Sequence, residues 1–192
     1  MTKHNSTHTP EQSLGTAAEK PVVVSRKAAP SLGYELAMLG LKIAVVIGAL
    51  VALFSFVFGL YRVNDATMEP VFLNGDLVMY YRLDRRCYAG EVVVLPYEGS
   101  LTSARVIAVA GDEVDIDTQG LKVNGSYQQE QRISGETTQV ADGVTFPLTV
   151  PDGCLFLLGD NRTEAVDSRI YGCVSSDDIN GKVIGQFRRR GF

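Results

Sequence analysis

The stretch RVIAVAGDEVDIDTQGLKVNG, residues 105–125, carries the patterns that decide the fold of this chain. Residues 105–109 form a short β-type run that ends near a glycine, and residues 114–117 alternate apolar with acidic side chains. The closing Asn124-Gly125 pair is a strong hairpin signal, because both residue types accept the positive φ of a tight type I′ turn. The stretch therefore predicts consecutive antiparallel strands.

Similar runs occur on both sides of this stretch. They cover residues 77–81, 91–95 (ending at Pro96), 155–158 and 182–187. No long amphipathic helix pattern competes with them. About 130 residues of short strands, bounded by Gly, Asn, Asp and Pro, predict a compact all-β domain, either a barrel or a coiled sheet. Residues 126–145, rich in Gln, Ser, Thr and Gly, are predicted as a polar excursion from that core.

A long uncharged segment precedes the β-type runs. Residues 43–61 carry no formal charge and are bounded by Lys42 and Arg62. As a helix this segment would span about 28 Å, close to the hydrocarbon thickness of a membrane. A buried core helix is disfavoured because no polar face interrupts the run. A cleaved signal peptide is disfavoured because the run is too long and no convincing Ala-x-Ala site follows it.

The flanking charges predict an orientation. Residues 1–42 carry five basic and three acidic side chains, and bases near a membrane favour the cytoplasmic side. Arg62 and three further arginines shortly beyond it weaken this asymmetry. We predict a single-pass protein of the cell membrane: a disordered cytoplasmic tail over 1–35, a transmembrane anchor over 36–61, and an extracytoplasmic β domain over 62–192.

The composition excludes several classes of function. With 18 Lys plus Arg against 22 Asp plus Glu the net charge is −4, which argues against a nucleic-acid partner. Both histidines, His4 and His8, lie in the tail, and the only lysines after the anchor are Lys122 and Lys182. The β domain therefore offers few side chains that could act as a general base. No Cys/His spacing indicates zinc and no Gly-rich loop indicates a phosphate site. We predict no metal and no cofactor.

Three segments in order resemble the motifs of the type I signal peptidase family. The family patterns are Ser-Met-x-Pro, then Lys-Arg-Val-x-x-x-x-Gly-Asp, then Gly-Asp-Asn-Arg followed by Ser-x-Asp-Ser-Arg. The corresponding segments here are Thr67-Met68-Glu69-Pro70, then 105–112, then Gly159-Asp160-Asn161-Arg162 with Asp167-Ser168-Arg169. We refer to them as the first, second and third boxes. Residues 123–125 also resemble the hairpin of the family.

The resemblance implies a β-rich domain at the outer membrane surface that cuts signal peptides as they emerge. Its nucleophile is the serine of the first box, and its general base is the lysine that opens the second box. A serine hydroxyl needs such a base, and a buried lysine serves when desolvation lowers its pKa. An extended polypeptide would lie along an open strand edge.

This chain departs from the family pattern where the chemistry occurs. Thr67 occupies the nucleophile position, and Ala104 occupies the general-base position, where no proton acceptor remains. Ala165 replaces the serine that orients the lysine. Asp65 stands at a position that the family uses to stabilise the oxyanion, and a carboxylate there would repel that developing charge.

The retained residues are predicted to support the cleft and its surroundings. They are Met68, Pro70, Arg105, Asp160, Asn161, Arg162, Asp167 and Arg169. The polar members suit turns, buried hydrogen bonds and ion pairs that hold two loops together. Met68 fits either the wall of the cleft or the core. The cysteines leave two alternatives open: a Cys154–Cys173 bridge with Cys87 free, or three thiols.

These features predict a membrane-anchored protein with the signal-peptidase fold and without its catalytic pair. Catalytically deficient relatives in Gram-positive pilus gene clusters act in pilin polymerisation, which implies an accessory or chaperone role in pilus or surface-protein assembly. The expected partners are the membrane and an extended polypeptide, either a pilin or a preprotein bearing a signal peptide. The alternative is an active signal peptidase that uses Thr67 and an unrecognised base.

Overall fold

A computed structural model describes residues 31–188 of the 192-residue chain, so most of the predicted tail over 1–35 lies outside the described residues. The helices are α1 (Leu32–Val57), α2 (Ser168–Tyr171) and a 3-10 turn (Ser176–Asp178). The strands are β1 (Phe58–Arg62), β2 (Leu77–Tyr81), β3 (Val92–Tyr97), β4 (Ser100–Val109), β5 (Glu113–Asp117), β6 (Gly120–Val123), β7 (Ser126–Tyr127), β8 (Leu148–Thr149), β9 (Cys154–Leu158), β10 (Val174–Ser175) and β11 (Gly181–Phe187).

Helix α1 is long and apolar enough to cross a membrane. Its 26 residues extend about 39 Å, against roughly 30 Å of hydrocarbon. The N-terminal turn is capped by Ser31, whose carbonyl oxygen accepts the N–H of Tyr34 at 2.8 Å. None of the helix is buried within the protein.

The helix ends four residues before the predicted anchor of 36–61 does, because Phe58–Arg62 form strand β1 instead. Strand β1 pairs antiparallel with β2, so that its backbone groups are satisfied by a sheet. Gly59 lies against the ring of Tyr80, and a side chain at position 59 would collide with that ring. The apolar residues at the end of the uncharged run therefore belong to the β domain.

Two antiparallel sheets make up the β domain. The larger sheet has the strand order β1-β2-β11-β3-β4-β9-β10, and the smaller has the order β7-β6-β5-β8. Each of the pairings within them is antiparallel. The two helical turns after α1, each of three or four residues, are the only helical elements in the described β domain. The all-β prediction is confirmed.

The predicted strands correspond to β2, β3, β4, β5, β6, β9 and β11. Strand β3, however, continues through Pro96, where the sequence predicts its end. Pro96 pairs with Leu101 of β4, while the neighbour on the other side, β11, pairs with β3 only at Val93 and Val94. Pro96 thus lies beyond that second pairing, where a missing N–H costs no ladder hydrogen bond.

The segment after the Asn124-Gly125 turn returns to the body of the domain. The two turn residues have φ values of 50° and 76°, as a type I′ turn requires. Beyond β7, the N–H of Ser134 donates to the carbonyl oxygen of Asp160 at 2.8 Å, and the N–H of Arg162 donates to that of Ser134, also at 2.8 Å. The predicted polar excursion is therefore bound to the third box.

Three clusters of buried apolar side chains form the core. The first includes Tyr61, Met68 and Phe72 and joins the first box to β1 and β2. The second includes Ala104 and Leu157 and lies along β4 and β9. The third lies between the two sheets and contains residues of β4, β5, β6 and β9. The first and second boxes thus lie next to buried apolar side chains of the core.

Candidate active site

The first and third boxes meet at Thr67. The carbonyl oxygen of Thr67 accepts the N–H of Asn161 at 2.9 Å, and the Asn161 side-chain amide donates to the carbonyl oxygen of Ala66 at 3.2 Å. Gly159 lies against the same turn: a Cβ at that position would touch the methyl of Ala165 and would stand 2.7 Å from the carbonyl oxygen of Thr67. A glycine is needed here because Thr67 and Ala165 approach so closely.

The second box brings Ala104 to the same place. Strands β4 and β9 pair Arg105 with Leu158, so Ala104 and Gly159 are the next positions along that ladder. The side chain of Ala104 is 3% exposed and packs within the second core cluster. The positions of the predicted nucleophile, base and orienting residue thus gather around Gly159, but they carry one hydroxyl and three methyl groups.

A cleft of about 280 Å³ opens beside Thr67. Its lining residues are Asn64, Asp65, Thr67, Tyr97, Glu98, Ser100, Thr102, Glu164 and Val166. Three of these side chains are carboxylates and none is basic. Neither a histidine nor a lysine, the side chains that most often serve as a neutral-pH general base or as the base of this family, lines the cleft.

Asp65 binds the backbone amide at the predicted nucleophile position. Its Oδ1 accepts the N–H of Thr67 at 3.0 Å, and its Oδ2 accepts the hydroxyl of Thr102 at 3.1 Å. In serine hydrolases the nucleophile's own N–H commonly donates to the oxyanion. Here that donor is occupied by a negative charge, which would oppose a second one developing nearby.

Neither lysine of the β domain is available as a substitute base. Lys122 pairs with Asp117 at 2.5 Å and lies over the ring of Tyr127, and the hydrogen bond to Asp117 raises the pKa of Lys122. Lys182 pairs with Asp84 at 2.9 Å, and the hydrogen bond to Asp84 likewise raises the pKa of Lys182. Both amines are held in the charged form, and neither lines the cleft.

The cysteines offer no activated nucleophile. Cys87, Cys154 and Cys173 are all free thiols, which is the second of the two alternatives left open by the sequence. Burial raises the pKa of Cys87 and of Cys173. A raised pKa keeps a thiol protonated and unreactive at neutral pH.

Arg105 of the second box and Asp160 of the third box form a bidentate ion pair. The Nε and Nη2 atoms of Arg105 donate to the two carboxylate oxygens of Asp160 at 2.7 and 2.5 Å. The third nitrogen, Nη1, donates to the carbonyl oxygen of Gly90 at 2.8 Å. Because the Asp160 side chain is almost fully buried, this pair ties the second box rigidly to the third.

Asp167 connects the two halves of the third box. One of its oxygens accepts both the N–H and the Nε of Arg169, at 3.1 and 2.9 Å, and its other oxygen accepts the N–H of Gly159 at 3.1 Å. Arg169 in turn donates to the carbonyl oxygen of Arg162 at 2.7 Å. The buried pair thus positions Gly159 and closes the loop between β9 and α2.

Arg162 has a partner outside the boxes. Its Nη2 donates to Oε1 of Glu130 at 2.6 Å. The other carboxylate oxygen of Glu130 accepts the hydroxyl of Thr137, also at 2.6 Å. Sequence reasoning missed Glu130 and Thr102, and it named Gly159 only as a member of the third box. The one available signal was that Glu130 is the only carboxylate between Asp117 and Glu136.

The remaining site residues lie at the edge of this arrangement. Met68 is fully buried in the first core cluster and is not among the residues that line the cleft, so it belongs to the core. Pro70 is exposed at the end of the first-box turn. Within residues 31–188, no group of three His, Cys, Asp or Glu side chains stands close enough to hold a metal ion.

Residues 36–187 match the family described as signal peptidase, peptidase S26. The chain is 32% identical over 145 residues to signal peptidase I of Bacillus caldolyticus, covering 67% of this chain and 78% of that protein. It is 30% identical over 223 residues to the probable signal peptidase I of Mycobacterium leprae, covering 90% and 75%. A solved signal peptidase I from Enterococcus faecalis is 23% identical, with a TM-score of 0.39, over 52% of this chain and 97% of that one.

An all-β domain behind one apolar helix, with the three boxes gathered around Gly159, defines the class to which this protein belongs. The chain is a member of the signal peptidase family, peptidase S26. The resemblance drawn from the boxes is thereby confirmed, and so is the predicted signal-peptidase-like fold. The apolar helix and these relatives are consistent with a single-pass membrane protein.

Proposed function

We propose that this protein is a non-catalytic member of its family that holds an extended polypeptide. The observation that carries the proposal is the content of the cleft: Thr67 lies among three carboxylates with no histidine or lysine, and Asp65 accepts the hydrogen of its backbone amide. Ala104 supplies no replacement for a general base. Loss of nucleophile and base together removes most of the rate enhancement of a hydrolase.

The proposed client is a secreted or surface polypeptide. The relatives are signal peptidases, and the substrates of signal peptidases are preproteins that bear signal peptides. We propose that the cleft retains the ability to hold such an extended chain, and that in a Gram-positive organism the client is a pilin. Pilin and sortase genes beside the gene for this chain are the expected finding, and their absence would count against pilus assembly.

The proposed topology follows from the helix and the flanking charges. Helix α1 is the anchor, the N-terminus is cytoplasmic, and the β domain lies outside the membrane. The excess of basic residues before α1 supports this orientation. An alkaline phosphatase joined to the C-terminus is expected to be active. An inactive phosphatase, together with fluorescence of a cytoplasmic reporter joined at the same site, would show that the C-terminus is cytoplasmic and contradict this topology.

The decisive experiment measures cleavage. The full chain, purified in detergent, is incubated with a preprotein that an active signal peptidase processes in parallel. We expect no product above the enzyme-free blank, and the Thr67→Ala variant is expected to behave identically. Product formation that disappears in Thr67→Ala would establish the alternative, an active peptidase with an unrecognised base.

A reconstruction tests the stated cause of inactivity. The variant Asp65→Ser/Thr67→Ser/Ala104→Lys/Ala165→Ser restores the family residues around Gly159. We expect it to process the preprotein, whereas the matched variant that keeps Ala104 is expected to remain inactive, because it still lacks a base. A folded quadruple variant without activity would place the cause of inactivity elsewhere in the protein.

A further inference from the structure

An apolar groove adjoins the cleft. It has a volume of about 320 Å³, is lined mainly by Leu95, Pro96, Tyr97, Val166, Ile170 and Tyr171, and has one charged lining residue, Asp178. We call it the tyrosine groove, because the rings of Tyr97 and Tyr171 lie 6.0 Å apart within it. Val166, Ile170 and Tyr171 are 45%, 42% and 38% exposed, which is unusual for a contiguous set of large apolar side chains.

The tyrosine groove and the cleft form one continuous depression, since Tyr97 and Val166 line both. The cleft end is acidic, with the carboxylates of Asp65, Glu98 and Glu164. Among the residues described, 31–188, none of these three carboxylates is within ion-pair distance of a basic side chain. The depression therefore joins an uncovered apolar surface to uncompensated negative charge.

This combination limits what can occupy the depression. An apolar surface favours burial of an aliphatic or aromatic side chain, at about 25 cal/mol per Å² of apolar area removed from water. The carboxylates repel a nucleic acid or the head groups of anionic lipids and attract a lysine or an arginine. A polypeptide segment satisfies both conditions, because side chains two residues apart in an extended chain point to the same side.

We propose that the tyrosine groove docks a client segment in which an apolar side chain stands two residues from a lysine or arginine. The apolar side chain lies against Tyr97, Ile170 and Tyr171, and the basic side chain reaches the carboxylates of Glu98 and Glu164. This proposal rests on the proposed function and adds the chemistry of the client. Such docking would let a non-catalytic protein hold the polypeptide by non-covalent contacts alone.

The test measures binding of defined peptides to the full chain in phosphatidylcholine nanodiscs. The probe is a fluorescent octapeptide that contains one Leu-Phe pair followed by a single lysine. Two matched peptides replace the lysine with glutamate or the Leu-Phe pair with Ser-Ser, and empty nanodiscs provide the blank. By fluorescence anisotropy we expect the lysine peptide to bind about tenfold more tightly than the glutamate peptide at low salt, and this ratio to shrink at high salt.

Variants of exposed residues assign the binding to the groove. Glu98→Gln/Glu164→Gln is expected to weaken the lysine peptide about threefold for each charge removed, while Glu113→Gln on β5 is expected to leave its affinity unchanged. Ile170→Ser is expected to weaken both the lysine and the glutamate peptide. Leu83→Ser, which also changes an exposed apolar side chain, provides the matched control.

Three results would overturn the proposal. They are equal affinities for the lysine and glutamate peptides, unchanged affinity in Ile170→Ser, and a dimer in sedimentation that Ile170→Ser converts to a monomer, because a second copy would then cover the groove. The proposed function is tested separately by the cleavage assay. A chain that neither cleaves nor binds the peptide keeps its non-catalytic assignment and loses this proposal, whereas cleavage overturns the proposed function whatever the groove binds.

Discussion

At the residue scale, the carboxylate of Asp65 accepts two hydrogen bonds at the turn of the first box, from the N–H of Thr67 and from the hydroxyl of Thr102. This makes Asp65 a structural member of the turn. The methyl groups of Ala104 and Ala165 add packing without any polar atom that needs a partner. The residues at these three positions therefore stabilise the turn, and none of them supplies an amine that could take a proton from Thr67 in place of the family's lysine.

Gly159 is the residue on which this arrangement depends most. The Gly159→Ala variant would place a methyl against Ala165 and 2.8 Å from Cγ2 of Thr67, so we expect a loss of about 2 kcal/mol in the free energy of unfolding. Denaturation of the full chain in detergent, followed by circular dichroism, measures the change.

The control for this substitution is Gly185→Ala in β11. There the nearest atom to the added methyl would be Cε of Met79 at 3.9 Å, an ordinary contact. We expect its stability to stay within about 0.5 kcal/mol of wild type. Equal stability of the two variants would contradict the close approach described at Gly159.

At the element scale, the segment between β7 and β8 owes its position to the third box. Its backbone bonds through Ser134 to Asp160 and Arg162, and its only ion pair described here joins Glu130 to Arg162. Little regular structure occurs between β7 and β8. A single backbone bridge and side-chain contacts with buried charges therefore hold the segment, where longer strand pairings hold the rest of the domain.

Glu130→Gln tests this dependence. The substitution leaves the buried guanidinium of Arg162 without its charged partner, so we expect a loss of about 3 kcal/mol in local stability. Hydrogen exchange of the full chain is expected to become at least about tenfold faster at the amides of Ser134 and Arg162. Glu136→Gln, an exposed position in the same segment, is expected to leave both rates unchanged. Unaltered exchange in Glu130→Gln would mean that the backbone bonds alone hold the segment.

At the scale of the whole molecule, the larger sheet coils until distant strands touch. Strands β1 and β4 are separated by β2, β11 and β3 in the sheet order, yet the hydroxyl of Tyr61 on β1 donates to Oγ of Ser103 on β4 at 2.5 Å. The Asp65–Thr102 bond joins the same two regions. The coiling brings the first box to the second and so creates the cleft.

Tyr61 makes this closure sensitive to high pH. Burial raises the pKa of Tyr61 from 10 to about 12, although its hydrogen bond with Ser103 acts in the opposite direction. Because the folded pKa is the higher one, the contribution to stability is complete below pH 10 and is lost as the pH rises through 12. The expected loss is on the order of 2 kcal/mol.

The Tyr61→Phe variant isolates this contribution. At pH 7 we expect it to be about 1 kcal/mol less stable than wild type, because the hydroxyl of Ser103 loses its partner. Between pH 10 and 12 the wild type is expected to lose stability relative to the variant, which has no phenol to ionise. Exposed Tyr88→Phe should follow the wild type throughout, and parallel curves for Tyr61→Phe and wild type would refute the assignment.

The sequence by itself determined the strand-rich class, the apolar helix, the family and the absence of a base at position 104. These features follow from local periodicity, turn residues and motifs, which reside in neighbouring residues of the chain. Only the tertiary structure decided that Phe58–Arg62 leave the helix for a sheet, that Glu130 pairs with Arg162, and that Asp65 binds the amide of Thr67. It alone created the tyrosine groove. Contacts such as these join side chains far apart in the chain, and strand register and the coiling of the sheet, rather than spacing along the chain, bring them together.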